Sequence, residues 1–183
     1  MAQPVFNLPD KAYQFWRAYS LNGIDYNLEH LQSSRHEFSH PTRNEKYTLY
    51  FTFSHHTFTR TPTNEELDEA ELYYPFPPED LRLFDFERYE LSKHLPEIVA
   101  TLPEQFCYHG GYSRYCSCKI KQADEVEVTY QVVYRVWKER GKIRFHIESA
   151  YPLSGGLSKV KKVNFWVICH NLLRDKKMPK PAR

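Results

Sequence analysis

One pair of segments restricts what this chain can fold into more than any other feature. Residues 126–138 and 142–151 both alternate apolar and polar side chains, and Arg140-Gly141 lies between them. A two-residue turn there pairs Glu139 with Lys142. The pairing then opposes Val136 to Phe145 and Tyr134 to Ile147 on one face. On the other face it opposes Arg135 to His146 and Val133 to Glu148. A slip of one residue would send every side chain to the wrong face and destroy the match. The pattern therefore predicts an antiparallel hairpin with a core face of Tyr134, Val136, Phe145 and Ile147. Its polar face carries Arg135, Arg144, His146 and Glu148.

Further strands extend the same sheet. Residues 46–54 place Tyr47, Leu49, Phe51 and Phe53 on one side and Thr48, Tyr50, Thr52 and Ser54 on the other. Residues 115–121 and 163–170 also read as strands, the latter at an edge. Aromatic residues form 16% of the chain, which suits strands and stacking surfaces. Helical patterns cover residues 11–19 and 26–32, separated by Asn22-Gly23, with Asp25 as a cap for the second. A short acidic helix starts near Asn64, and residues 73–78 form a Pro-aromatic loop. Residues 88–102 carry the stripe Leu91, Leu95, Ile98, Val99 and Leu102, in which Pro96 either kinks the helix or restarts it. The expected class is α+β, an antiparallel sheet with helices packed on one face. Residues 1–173 are expected as a single domain and residues 174–183 as a basic, flexible tail.

Charge and composition narrow the function. A net charge of +2 gives no global field towards nucleic acid, so any basic site must be local. The first ten residues lack the pattern of a signal peptide, and no apolar run reaches the length of a membrane span. A cytoplasmic protein with no membrane partner and four reduced cysteines is the expectation.

Four constellations could carry chemistry. The first is His55-His56 with Arg60. Consecutive residues at a strand end point to opposite sides, which turns His55 to the core face and His56 to the polar face. Histidine is suited to proton transfer near neutral pH, and Arg60 to a phosphate. A strand cap with Arg60 in a surface ion pair is the structural alternative. The second is the polar face of the hairpin, Arg135, Arg144, His146 and Glu148, followed by Tyr151. It fits an RNA backbone, or equally a solvated face of weak charge pairs. The third is Cys107, His109, Cys116 and Cys118, four soft donors without the C-x-x-C spacing of a zinc knuckle. Buried thiols are the preferred reading there. The fourth is Arg88 near a helix start, where it could join first-turn amides in holding an anion or tie to a neighbouring carboxylate.

The pieces Phe53-Ser54-His55-His56, Phe58-Thr59-Arg60, Arg88-Tyr89-Glu90-Leu91-Ser92 and Glu148-Ser149-Ala150-Tyr151 resemble a small family of bacterial mobile-element proteins, some labelled stationary-phase growth adaptation proteins. That label implies no established chemistry. A looser similarity is to the RelE, barnase and colicin D group of endoribonucleases, which place helices before an antiparallel sheet.

The leading expectation is a metal-independent endoribonuclease of toxin or effector type, with no cofactor. A 2′-hydroxyl attacks the adjacent phosphate, and His56 and His146 share the roles of base and acid. His55 and Glu148 complete the candidate catalytic set. Arg60, Arg88, Arg135 and Arg144 hold the phosphate and Tyr151 stacks a base. Two alternatives stand beside it. One is a non-catalytic module that binds a protein partner or single-stranded nucleic acid. The other is an immunity or antitoxin-like protein, supported by the acidic stretch 65–71.

Overall fold

Arg140 and Gly141 take φ of 47° and 76°, the paired positive values of a two-residue hairpin turn. They occur in a computed structural model that describes residues 12–13, 16–110, 113–121, 127–154 and 162–178. In chain order the strands and helices are β1 (Ala12–Tyr13), β2 (Tyr19–Leu21), β3 (Ile24–Tyr26), β4 (Ser34–Ser39), β5 (Lys46–Ser54), β6 (Thr59–Arg60), β7 (Tyr73–Tyr74), β8 (Arg82–Phe84), α1 (Phe86–Ser92), α2 (Leu95–Ala100), β9 (Phe106–Gly110), β10 (Ser113–Lys121), β11 (Glu127–Glu139), β12 (Lys142–Pro152), β13 (Lys162–Val163) and α3 (Phe165–Leu173). The protein is α+β, as its patterning predicts.

The hairpin register is the expected one near the turn: Glu139 faces Lys142, Val136 faces Phe145, Arg135 faces His146 and Tyr134 faces Ile147. It then shifts. Val133 faces Ser149, not Glu148, because a bulge leaves Glu148 without a cross-strand partner. The extra residue changes the alternation beyond it. Ala150 now lies opposite buried Val132, and Tyr151 lies opposite Gln131 on the face that carries Arg135 and His146.

The main sheet runs in the order β1-β5-β12-β11-β10-β9-β13, with β4 also paired to β5. Its described pairs are antiparallel except β5 with β12, which run parallel and place His146 beside Thr52. The core face joins Phe51 and Phe53 of β5 to Tyr134, Phe145 and Ile147. Helix α3 packs on β11 and β12, bringing Phe165 against Phe38 and Phe145.

Several sequence expectations change. Residues 163–170 do not extend as a strand. Asn164 accepts the Trp166 N–H at 2.8 Å and caps α3, whose buried Phe165, Ile168 and Cys169 follow helical spacing. The aromatic residues near the start do not form the expected first helix over the described positions. Asn22-Gly23, with φ of 52° and 77°, instead turns β2 into β3. The second pattern survives as one 3-10 turn, Glu29–Leu31. The segment at Asn64 is likewise a 3-10 turn, with Thr63 and Glu66 in a capping box. The 88–102 stripe divides into α1 and α2, so Pro96 restarts a helix in its first turn. The start of the basic C-terminal segment is tied down: Arg174 reaches Glu45 at 3.0 Å and Asp175 reaches Lys138 at 2.6 Å. Residues 179–183 lie outside the described residues.

Candidate functional site

The end of β5 does not continue as a strand through the two histidines. Ser54 accepts the His56 N–H on its side chain, and His55–Thr57 winds into a 3-10 turn. Thr57 and Thr59 lock that turn by donating to the carbonyls of Ser54 and His55, each at 2.8 Å. Successive residues of such a turn are about 120° apart rather than opposed. Both imidazoles therefore reach the same carboxylate, with ring centroids 4.5 Å apart. Asp80 Oδ2 lies 3.5 Å from His55 Nε2 and 3.2 Å from His56 Nε2. The Asp80 carbonyl lies 3.2 Å from His55 Nε2. His55 is 1% exposed against the Trp16 ring, and its Nδ1 has no hydrogen-bond partner among the described residues.

His146 approaches from β12. It is buried, with Nδ1 2.9 Å from the Thr52 hydroxyl across the parallel pair. Burial pushes both His55 and His146 down to about 4 and lowers His56 as well. The field of His56 is one of the smaller effects on His146, so the two rings sense each other. These histidines are neutral at neutral pH. That suits a proton acceptor or a ligand.

The arginines divide into two groups. Arg60 forks onto Glu66 and reaches Asp85 at 3.4 Å, while Glu66 is held down to about 2 by that hydrogen bonding. Arg135 pairs with Glu148 at 2.6 Å, and Arg144 with Glu139 at 2.8 Å beneath the Tyr50 ring. Arg60, Arg135 and Arg144 are thus each held in an ion pair, and Glu148 serves Arg135. Arg88 and Arg82 differ. Arg88 donates to the carbonyls of His56 and Thr59 at 3.1 and 3.0 Å and lies over the Tyr151 ring. Arg82 donates to the hydroxyls of Thr59 and Thr61 at 3.1 and 3.0 Å. Among the described residues neither forms an ion pair with a carboxylate, although the Asp80 carboxylate acts on Arg82 from longer range.

The structure thus brings together His55, His56, His146, Arg88 and Tyr151, and leaves Arg60, Arg135, Arg144 and Glu148 in pairs of their own. Sequence reasoning missed Asp80 and Arg82. Asp80 sits after Pro77-Pro78-Glu79 in a stretch that reads as loop, 24 residues from His56. The proposed cysteine set is not a described metal cluster. The register sets Cys116 opposite Cys107, and Cys107 is buried. Cys118 donates to the Tyr130 carbonyl at 3.7 Å, and the side chain of Cys116 lies outside the described residues. No helix among the described residues is long and apolar enough to cross a membrane.

Fold and site together define an α+β protein with a histidine–aspartate cluster flanked by two arginines. The profile of the YjaZ family matches residues 14–173, and the chain belongs to that family. Protein YjaZ of Escherichia coli (strain K12) is 33% identical over 139 residues, which cover 75% of this chain and 77% of that protein. No solved structure matches. These findings correct the resemblance drawn from short motifs. The YjaZ family takes the place of the mobile-element, stationary-phase growth adaptation family, and no structural neighbour supports a RelE, barnase or colicin D fold.

Proposed function

We propose that the chain cleaves the RNA backbone at the cluster around His56, with His56 as base and Arg82 and Arg88 as phosphate ligands. The observation that carries this reading is the pairing state of the arginines. Arg82 and Arg88 are held by hydrogen bonds to neutral oxygens rather than by ion pairs, with Asp80 acting on Arg82 only from longer range, and both can turn towards an anion. Asp80 accepts from His56 Nε2, which leaves the lone pair on Nδ1. Nδ1 takes the proton of a 2′-hydroxyl, whose oxygen attacks the adjacent phosphorus. The two guanidiniums face the charge that builds on the phosphoryl oxygens. The 5′-oxygen leaves with a proton from solvent, giving a 2′,3′-cyclic phosphate and a 5′-hydroxyl. His146 and Thr52 act as positioning residues.

The test is cleavage of labelled single-stranded RNA with chelator present, by wild type, His56→Ala and Arg60→Ala purified separately. His56→Ala is expected to lose roughly 10²–10⁴-fold in rate, the usual contribution of a general base. Arg60→Ala should cleave like wild type. Equal rates in wild type and His56→Ala would sink the assignment. RNA binding without cleavage by any form would favour a non-catalytic nucleic-acid-binding module.

A further inference from the structure

Three ligating side chains converge at the same place, and their spacing carries more than a hydrogen-bonded cluster requires. We propose that His55, His56 and Asp80 bind a divalent transition ion of the zinc class, and that the bound ion silences His56 as a base. The possible ligand atoms of the three residues all lie within 4.8 Å of one another. Asp80 Oδ2 is 3.5 Å from His55 Nε2 and 3.2 Å from His56 Nε2. In a tetrahedral zinc site with bonds near 2.0–2.1 Å, neighbouring ligand atoms stand about 3.3–3.4 Å apart. Both separations from Asp80 Oδ2 lie close to that value, and the two imidazoles would close on the ion from within 4.8 Å of each other.

The donor set fixes the class of ion. Two imidazoles and one carboxylate suit zinc, nickel, copper or ferrous iron, and they disfavour magnesium and calcium, which take oxygen ligands. Three protein ligands leave a coordination position open, unlike a closed structural site. The site is also held in place before any ion arrives. His55 is buried against Trp16, Ser54 caps the turn, and Thr57 and Thr59 fix its carbonyls. Arg82 and Arg88 oppose an added cation nearby, so the ion is exchangeable and not permanent.

The effect on chemistry follows from the tautomer. Without the ion, the His56 proton is on Nε2 and points to Asp80. An ion on Nε2 needs that lone pair, so the proton moves through solvent to Nδ1 with no net change in charge on the ring. Nδ1 is then a donor and cannot accept from a hydroxyl. This consequence rests on the base role proposed above, whereas the ion site itself does not.

The experiment uses the full chain, stripped with chelator and dialysed, with cobalt(II) as a spectroscopic probe and zinc as its competitor. Expected is one saturable equivalent of cobalt with the visible bands of nitrogen and oxygen coordination, displaced by zinc. Affinity should fall at least tenfold in His56→Gln and in Asp80→Asn, with thermal melts showing that both variants fold. Zinc should suppress RNA cleavage and chelator should restore it. Absence of saturable binding, or affinity unchanged in both variants, overturns the site. Zinc that binds and stimulates cleavage overturns the silencing and the base role together. Specific binding by a protein that never cleaves RNA supports the site and removes the base role alone.

Discussion

Asp80 Oδ2 meets His56 Nε2 at 3.2 Å from a loop 24 residues further along the chain. The carboxylate sets the ring angle and keeps the proton on Nε2, which no neighbour of His56 in sequence does. Asp80→Asn keeps the shape and removes the charge. Its kcat on a short RNA should fall by roughly two orders of magnitude or more, with KM changed little, because orientation and tautomer act on the chemical step. A kcat equal to wild type would take Asp80 out of the site.

Arg88 and Arg135 should behave differently towards RNA. Arg135 is held by Glu148, whereas Arg88 has no carboxylate partner among the described residues. Arg88→Ala should weaken binding and reduce the slope of log affinity against log salt by about 1. Arg135→Ala should leave both unchanged. Fluorescence anisotropy across a salt series measures this, and matching slopes for the two variants would contradict it.

Acid should destabilise the fold through its buried histidines. Burial pushes His30 down from 6.5 to about 4; Lys93 adds to the shift, Glu90 opposes it, and the ring meets the Ser92 hydroxyl at 2.7 Å. His146 falls equally through burial, with Glu148 opposing and Arg135 and His56 adding. A base with its folded pKa below its unfolded value gives full stability above about 6.5, and loses it as pH falls towards 4. Urea midpoints should therefore drop already between about pH 6.5 and 5, before most carboxylates titrate. His30→Gln should flatten that drop. A constant midpoint across the range would refute the shifts.

Gly141 tests the hairpin turn. Its φ is 76°, and a Cβ there would meet nothing within 4 Å. Gly141→Ala should therefore cost about 1 kcal/mol from backbone conformation alone. Denaturant melts at neutral pH read it, and an unchanged midpoint would exclude the positive φ.

Asn164 tests the start of α3. Its side chain accepts the Trp166 N–H at 2.8 Å. Asn164→Ala should cost about 1 kcal/mol, the usual loss for a side-chain N-cap. Asn164→Asp should retain most of that, since aspartate caps as well.

The hairpin was legible because its two strands test each other. Only one register sets Val136 on Phe145 and Tyr134 on Ile147. The bulge at Glu148 was not, because a bulge depends on how the sheet coils and leaves no mark in an alternating pattern. Residues 163–170 were ambiguous by nature, since a short apolar run fits either period, and the cap at Asn164 decided for a helix. Asn22-Gly23 carries a signal that fits a break between helices and a hairpin turn alike, and the pairing of β2 with β3 decides for the turn. At the site, His55, His56, His146 and Arg88 stood out by residue type. Their partners Asp80 and Arg82 did not, because the closure of the 55–82 loop is a tertiary event.

The parallel pairing of β5 and β12 also sets an order of events. Thr52 and His146 touch across 94 positions of chain, and contacts of such long range form late in folding. His55, His56 and Asp80 can meet while the second half of the chain is still being made. His146 joins them only when β12 leaves the ribosome, a delay on the order of seconds at ordinary rates of synthesis. The cluster around His56 therefore lacks His146, the partner of Thr52, until β12 has been made.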